Sequence, residues 1–125
     1  MSGTLQRWRQ RFGLKDRPSR IMAAVALAIL AFHWIAIFSF ILPRTGRLDF
    51  LRLHYTAALG VDWVGVWWMI FVFPLLGLLT LLINGLLSGI LSRKQPLYGL
   101  MILGATVCLE IVLAIGGGAA VLLNS

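Results

Sequence analysis

The chain has 125 residues, 60% of them hydrophobic, with a mean hydropathy of +0.93 and a formal net charge of +7. Soluble domains run at about 45 to 50% apolar residues, so this composition excludes an ordinary water-soluble fold and makes lipid the solvent. A span needs roughly 20 apolar residues, so three such runs leave room for one membrane domain and short connectors.

Residues 1–20 form a basic arm in which Leu5, Trp8 and Phe12 recur at helical spacing between the charges. A positive balance would suggest nucleic acid in a soluble protein. Here six of the eleven Lys and Arg residues (Arg7, Arg9, Arg11, Lys15, Arg17 and Arg20) precede residue 21, which makes the charge a topogenic signal first. A short interfacial helix fits, with its basic residues attracted to the anionic headgroups of the inner leaflet by about 1 kcal/mol each. A cleaved organelle presequence and a nucleic-acid contact are the competing readings; the plain one, a cytoplasmic membrane-surface anchor without nucleic acid, is preferred.

The three-helix transmembrane domain is expected over residues 21–125. Its first apolar run, Ile21 to Leu42, has 22 residues, about 33 Å of helix. That exceeds the 7 to 15 residues of a signal-peptide core, so an uncleaved anchor is expected, started near Pro18 and Ser19 and stopped by Pro43. The connector that follows carries Leu48, Phe50, Leu51, Leu53 and Tyr55 around Asp49, Arg52 and His54, which reads as a segment lying on the membrane surface. The second span is expected from about Val64 to Leu91, opened by the interfacial aromatics Trp63, Trp67 and Trp68 and kinked near Pro74 and Gly77. After the polar turn Ser92 to Pro96, the third span runs from Leu97 to about Leu123. Asn124 and Ser125 make a tail too short for a function. Cys108, alone inside an apolar run, excludes an intramolecular disulfide and reads as a small core residue. The expected class is therefore all-α, an integral membrane protein with three transmembrane helices.

Orientation follows from the basic residues: eight in the arm and the second turn against three (Arg44, Arg47, Arg52) in the first connector. The positive-inside bias puts the N-terminus in the cytoplasm, and the first connector and the C-terminus outside.

His33 lies twelve positions after Ile21, Glu110 twelve after Tyr98 and Thr80 twelve before Ser92, so all three are expected about 18 Å from the cytoplasmic interface. Each sits on a stripe of small or polar residues: Ala26, His33, Ala36; Gly77, Thr80, Asn84, Ser88; Thr106, Glu110, Ala114, Gly117. Such stripes let helices approach closely, as do Gly85 with Gly89 and the run 116–118. A lone ionised carboxylate at mid-bilayer costs several kcal/mol, so Glu110 must be paired, hydrated or protonated, and His33 is the expected partner. The pair reads either as a hydrogen-bonded lock on helix register or as part of a proton or ion path.

In the first connector, Gly60 and Gly65 permit a tight re-entry, Asp62 is placed to accept N–H groups at the start of the second helix, and His54 and Tyr55 have apolar bodies with polar tips. His54 and Asp62 are two potential metal ligands where a site needs three or four. No nucleophile, acid/base pair or phosphate loop stands out, so no catalytic residue, metal or cofactor is assigned.

The pattern Leu53, His54, Tyr55, Gly60, Val61, Asp62, Gly65, followed by a span containing Phe73, Pro74, Leu75, Leu76, Gly77, resembles a small family of bacterial three-span membrane proteins. That family carries an LHYN-like sequence and a G-x-D-x-x-G sequence between its first two helices. The likeness covers the chain from the first span onward. It implies a multi-pass protein of the bacterial cytoplasmic (inner) membrane and carries no assigned activity. The connector is also similar, over a shorter stretch, to the loop signature of DUF1648 domains in SdpI-like immunity and signalling membrane proteins. Arg52 stands where that signature has proline, and Thr56 where both patterns tend to have asparagine.

These readings lead to a non-enzymatic accessory or partner-binding membrane component, working as a homo-oligomer or with a membrane-protein partner. An SdpI-like immunity or sensor protein and a small transport subunit using His33 and Glu110 are the alternatives. The topology is checked with an impermeant thiol reagent on intact cells: a cysteine at Thr45 should be labelled and one at Gln95 should not, and the opposite pattern would invert the orientation.

Overall fold

A computed structural model of the chain describes residues 2–11, 14, 16–44, 46–47 and 49–125, with the side chains of residues 2 and 9–11 left out of the description. The elements in order are α1 (Ser2–Arg11), α2 (Arg17–Ile41), a 3₁₀ turn (Leu42–Arg44), β1 (Phe50–Thr56), β2 (Gly60–Val66), a second 3₁₀ segment (Trp67–Phe71), α3 (Val72–Leu91) and α4 (Pro96–Leu123). Three helical segments, Arg17–Arg44, Trp67–Leu91 and Pro96–Leu123, are long and apolar enough to cross a membrane, and only 22–33% of their most apolar windows is buried. Most of their apolar surface therefore faces outward, which suits lipid and not water.

Local sequence explains the helix ends. Asp16 caps α2: its carboxylate accepts the Ser19 N–H at 3.2 Å, and Pro18 sits in the first turn where its missing N–H costs nothing. Partial burial pushes the Asp16 pKa up, but the Ser19 hydrogen bonds and the nearby Arg20 charge outweigh it and leave a net lowering. Pro96 likewise opens α4. The expected kink in the second span is replaced by a helix start, because α3 begins at Val72 and Pro74 falls in its first turn.

Helix α4 packs against both α2 and α3, which touch each other far less. The α3–α4 contact closes at its turn end on Gly99, where an added Cβ would stand 2.8 Å from Ser92 Cβ and 3.0 Å from Ser88 O. The Ser88 hydroxyl donates to Gly99 O at 3.0 Å, and farther along Asn84 Nδ2 donates to Thr106 Oγ1 at 3.0 Å. Gly85 and Gly89 are buried on the same face of α3.

Four expectations are corrected. The fold is not purely α: residues 50–66 form a two-stranded antiparallel hairpin. The expected surface segment is strand β1, because Leu51 and Leu53 alternate with exposed Arg52 and His54 and plug into a core of Ile37, Phe40, Ile41, Ile70 and Ala120. Leu48 lies outside the described residues. The second span does not begin at Val64, which is in β2; Trp63 is in β2, packed on Phe73 with ring centroids 6.3 Å apart, while Trp67 and Trp68 are in the 3₁₀ segment. Cys108 is exposed on α4 and is not a core residue.

Asn124 corrects the reading of the tail. Its Oδ1 accepts the Arg52 N–H at 2.9 Å and its Nδ2 donates to Arg52 O and to Ala120 O, both at 2.7 Å, so one side chain mimics a paired strand residue on the edge of β1. Asn124→Ala should cost about 0.5–1.5 kcal/mol, the net worth of a hydrogen bond whose backbone partners stay exposed. Asn124→Asp, which keeps only the acceptor, should fall between. The check is amide exchange at Arg52 together with the thermal midpoint in detergent; unchanged Arg52 protection in Asn124→Ala would show the clamp to be dispensable.

Candidate functional site

Two groups of polar side chains stand out, one on the hairpin and one between the helices. On the hairpin, Arg52 pairs with Val64, His54 with Trp63 and Tyr55 with Val61, so Leu53 and Asp62 are each an extra residue in the ladder. The two irregularities offset one another, so Leu53 shares the core face with Leu51 by ordinary strand alternation, and Asp62 lies across from His54 with its carboxylate 2.7 Å from Nδ1. Asp62 is thus a cross-strand partner of His54 and not the helix cap expected from its position. The imidazole is 56% exposed, and its Nε2 is left to meet a ligand or solvent. Gly60, at φ +74°, closes the turn beside exposed Tyr55 and Leu59, and Gly65 passes over the Met69 sulfur and within 3.0 Å of Leu53 Cδ1 at its would-be Cβ. Among the described residues no group of three His, Cys, Asp or Glu side chains is placed to hold a metal ion.

Between the helices, Glu110 is 0% and His33 2% exposed. The expected His33–Glu110 hydrogen bond is not formed. Both ring nitrogens and both carboxyl oxygens lack a hydrogen-bond partner among the described residues. The Glu110 carboxyl lies where all three long helices meet: a Cβ at Gly77 of α3 would stand 2.6 Å from Oε2 and 2.9 Å from Leu30 Cδ1 of α2. The His33 ring instead lies directly against Gly117 of α4. Gly117 is two turns beyond Glu110, about 10 Å along the helix. Equal depth along straight, equally tilted helices is what the expectation assumed, and the register of α2 on α4 departs from it. Thr80 is half-buried, while Asn84 reaches Thr106.

In the arm, Arg7 Nε donates to Gly3 O at 3.3 Å within α1, and Arg17 and Arg20 are exposed on the first turn of α2. The helical side expected from Leu5, Trp8 and Phe12 is described for Leu5 and Trp8, both exposed; Phe12 and Lys15 lie outside the described residues, as do the side chains of Arg9 and Arg11.

Residue-by-residue reading missed Asn124 and the glycine seats of the buried polar groups. An asparagine just past an apolar run signals a helix end, but nothing local announces a partner 72 residues away. Comparison with known proteins finds no matching family model, curated protein or solved structure. The site is read from its own chemistry.

Gly77→Ala should therefore lower stability by about 1–3 kcal/mol, because its methyl group drives into the Glu110 carboxyl, and much of that loss should vanish in a Glu110→Ala background. His33→Ala and Glu110→Ala, with no hydrogen bond between the two side chains, should add within about 0.5 kcal/mol. Reversible unfolding in mixed micelles measures both; a large non-additive term between the last two would restore the direct pair.

Proposed function

We propose that the protein is a non-enzymatic, multi-pass component of the bacterial cytoplasmic membrane that binds a membrane-protein partner or a second copy of itself through the hairpin. N-terminus inside and hairpin outside is the orientation supported by the eight basic residues at one end against three at the other. The arm residues Arg7, Arg9, Arg11, Lys15, Arg17 and Arg20 then meet the anionic inner leaflet.

The observation that carries this reading is the way the hairpin is held. Leu51 and Leu53 anchor it from below and Asn124 clamps its edge, while Phe50, Arg52, Tyr55 and Val64 stay exposed. A fixed strand surface with exposed aromatics loses little conformational entropy on binding. A small transport subunit is the second reading, favoured by two buried side chains able to carry a proton and without a hydrogen-bond partner among the described residues, which are rare in a helix bundle and mark pathways in membranes.

The test is the mass of the particle extracted in native lipids. Wild type should run above the monomer, alone or with a partner, and Phe50→Ser combined with Val64→Lys should return it to the monomer with unchanged helical circular dichroism. A monomeric wild type, or a variant that keeps its assembly, would overturn the hairpin reading. Proton flux in liposomes abolished by Glu110→Gln, with assembly unaffected, would favour transport instead.

A further inference from the structure

Glu110 is the one glutamate of the chain, and its carboxyl is fully buried where α2, α3 and α4 meet. An ionised carboxylate in such a place needs a cation, water or hydrogen-bond donors around it. The elements facing it bring no cation. Helix α3 has no titratable residue from Val72 to Leu91; α2 has His33 alone after Arg20, which lies ten residues, about 15 Å, before Leu30; and α4 adds only Tyr98 and Cys108, both exposed. The His33 ring lies against Gly117 and makes no hydrogen bond to the carboxyl. Neither carboxyl oxygen has surface that a water molecule can touch, and neither meets a donor among the described residues. The Thr106 hydroxyl, one turn back on α4, is taken up, donating to Ile102 O at 2.8 Å and accepting from Asn84.

What these surroundings hold without a partner is the neutral acid, which carries its own proton on one oxygen. Hard metal cations take about six oxygen ligands, and no group of metal-ligating side chains gathers here among the described residues. The ligand that fits is a proton. Its cover is α3: a Cβ at Gly77 would stand 2.6 Å from Oε2, so the α3 backbone lies directly over the carboxyl. Both described hydrogen bonds between α3 and α4, made by Asn84 and Ser88, lie on the turn side of Gly77, the nearer one seven residues and about 10 Å away. At Gly77 and beyond, α3 rests on α4 by contact alone, with Phe73 on Gly116, and α2 holds α3 far less than α4 does.

We propose that Glu110 is a proton-binding site linked to the seat of α3: the carboxyl is the neutral acid while Gly77 covers it, and its ionisation lifts the Gly77 end of α3 off α4. On release the O–H bond breaks, the electron pair stays on the carboxyl oxygen, and the proton passes to water entering between the helices. The sign follows from linkage. The closed bundle binds one proton more than the open one, so acid favours closure and alkali favours opening. This linkage presupposes that the three helices span a bilayer. It names an ion for the transport reading but needs no net flux, so absence of flux in liposomes would leave it standing.

Infrared spectroscopy of the full chain in phosphatidylcholine bilayers reads the proton, through the carbonyl stretch that a protonated acid has and a carboxylate lacks. Spin labels read the seat: in a Cys108→Ser background, one pair at Leu76 and Ile111 beside the site and a control pair at Leu87 and Met101 near the turn, all four positions being exposed. At neutral pH the wild type should show an acid band that Glu110→Gln removes. As the pH rises that band should disappear, and over the same interval the distance from Leu76 to Ile111 should grow by about 3 Å, the width of a water molecule, while that from Leu87 to Met101 holds. Glu110→Gln, which has no proton to lose, should keep the closed distance throughout, and His33→Gln should leave the transition where it is. The proposal is overturned by any of four results: no Glu110-dependent acid band at neutral pH, a band that vanishes without the change in distance, an opening that persists in Glu110→Gln, or a transition that moves in His33→Gln.

Discussion

The arrangement depends on how closely α4 can approach its two neighbours, and that closeness is set by three positions without a side chain. Gly99 admits Ser88, Gly77 admits the Glu110 carboxyl, and Gly117 admits the His33 ring. In lipid the hydrophobic effect contributes little to helix association, so contact area and interhelical hydrogen bonds must supply it. Each glycine raises the contact area by letting backbone and side chain meet directly. The polar residues are placed where this packing is tightest, which is why the two most buried ionisable groups face glycines and not each other.

The hairpin is the second consequence of α4. A two-stranded ribbon is marginal on its own, and here it survives because three supports converge on β1: β2 on one edge, the Asn124 amide on the other, and the Leu51–Leu53 face on the ends of α2 and α4. The two irregularities of the ladder, at Leu53 and Asp62, offset one another, so Tyr55 with Val61 keeps the register of Leu51 with Gly65. Leu51 and Leu53 share the core face by strand alternation, and the same register sets Asp62 across from His54.

Helix lengths were legible because apolar runs bounded by proline and charge have one physical meaning: the expected runs 21–42 and 97–123 lie within or beside α2 and α4, and small-residue stripes did mark inward faces. The hairpin was written just as locally, in the alternation of Leu51, Arg52, Leu53 and His54 and in the valine-rich run 60–66, with Gly60 at the turn. It was masked by hydropathy. Trp63, Val64 and Val66 extend the apolar run of the second span with no charged residue between, and an average over such a window cannot separate a strand from a helix. The contact partners of His33 and Glu110 were not legible at all, since tilt and register, which decide them, arise from packing along the whole helix and not from residue counts.

Helix α4 also joins the two polar groups mechanically. The step of seven positions from Gly117 to the cap residue Asn124 makes two turns, about 10 Å, with the His33 ring resting at one end and the Arg52 backbone held at the other. A helix bends little over two turns unless proline or a bulge interrupts it, and the run Gly116, Gly117, Gly118 stays helical through Leu123. Glycine costs about 1 kcal/mol in a helix relative to alanine, so three in succession are held in that conformation by their surroundings: Phe73 against Gly116, His33 against Gly117, and the clamp beyond. Removing the clamp leaves the last turns of α4, joined to the rest through the three glycines, without their hold on β1. The seat of the hairpin and the straightness of α4 therefore support one another, and neither would persist on local sequence preference alone.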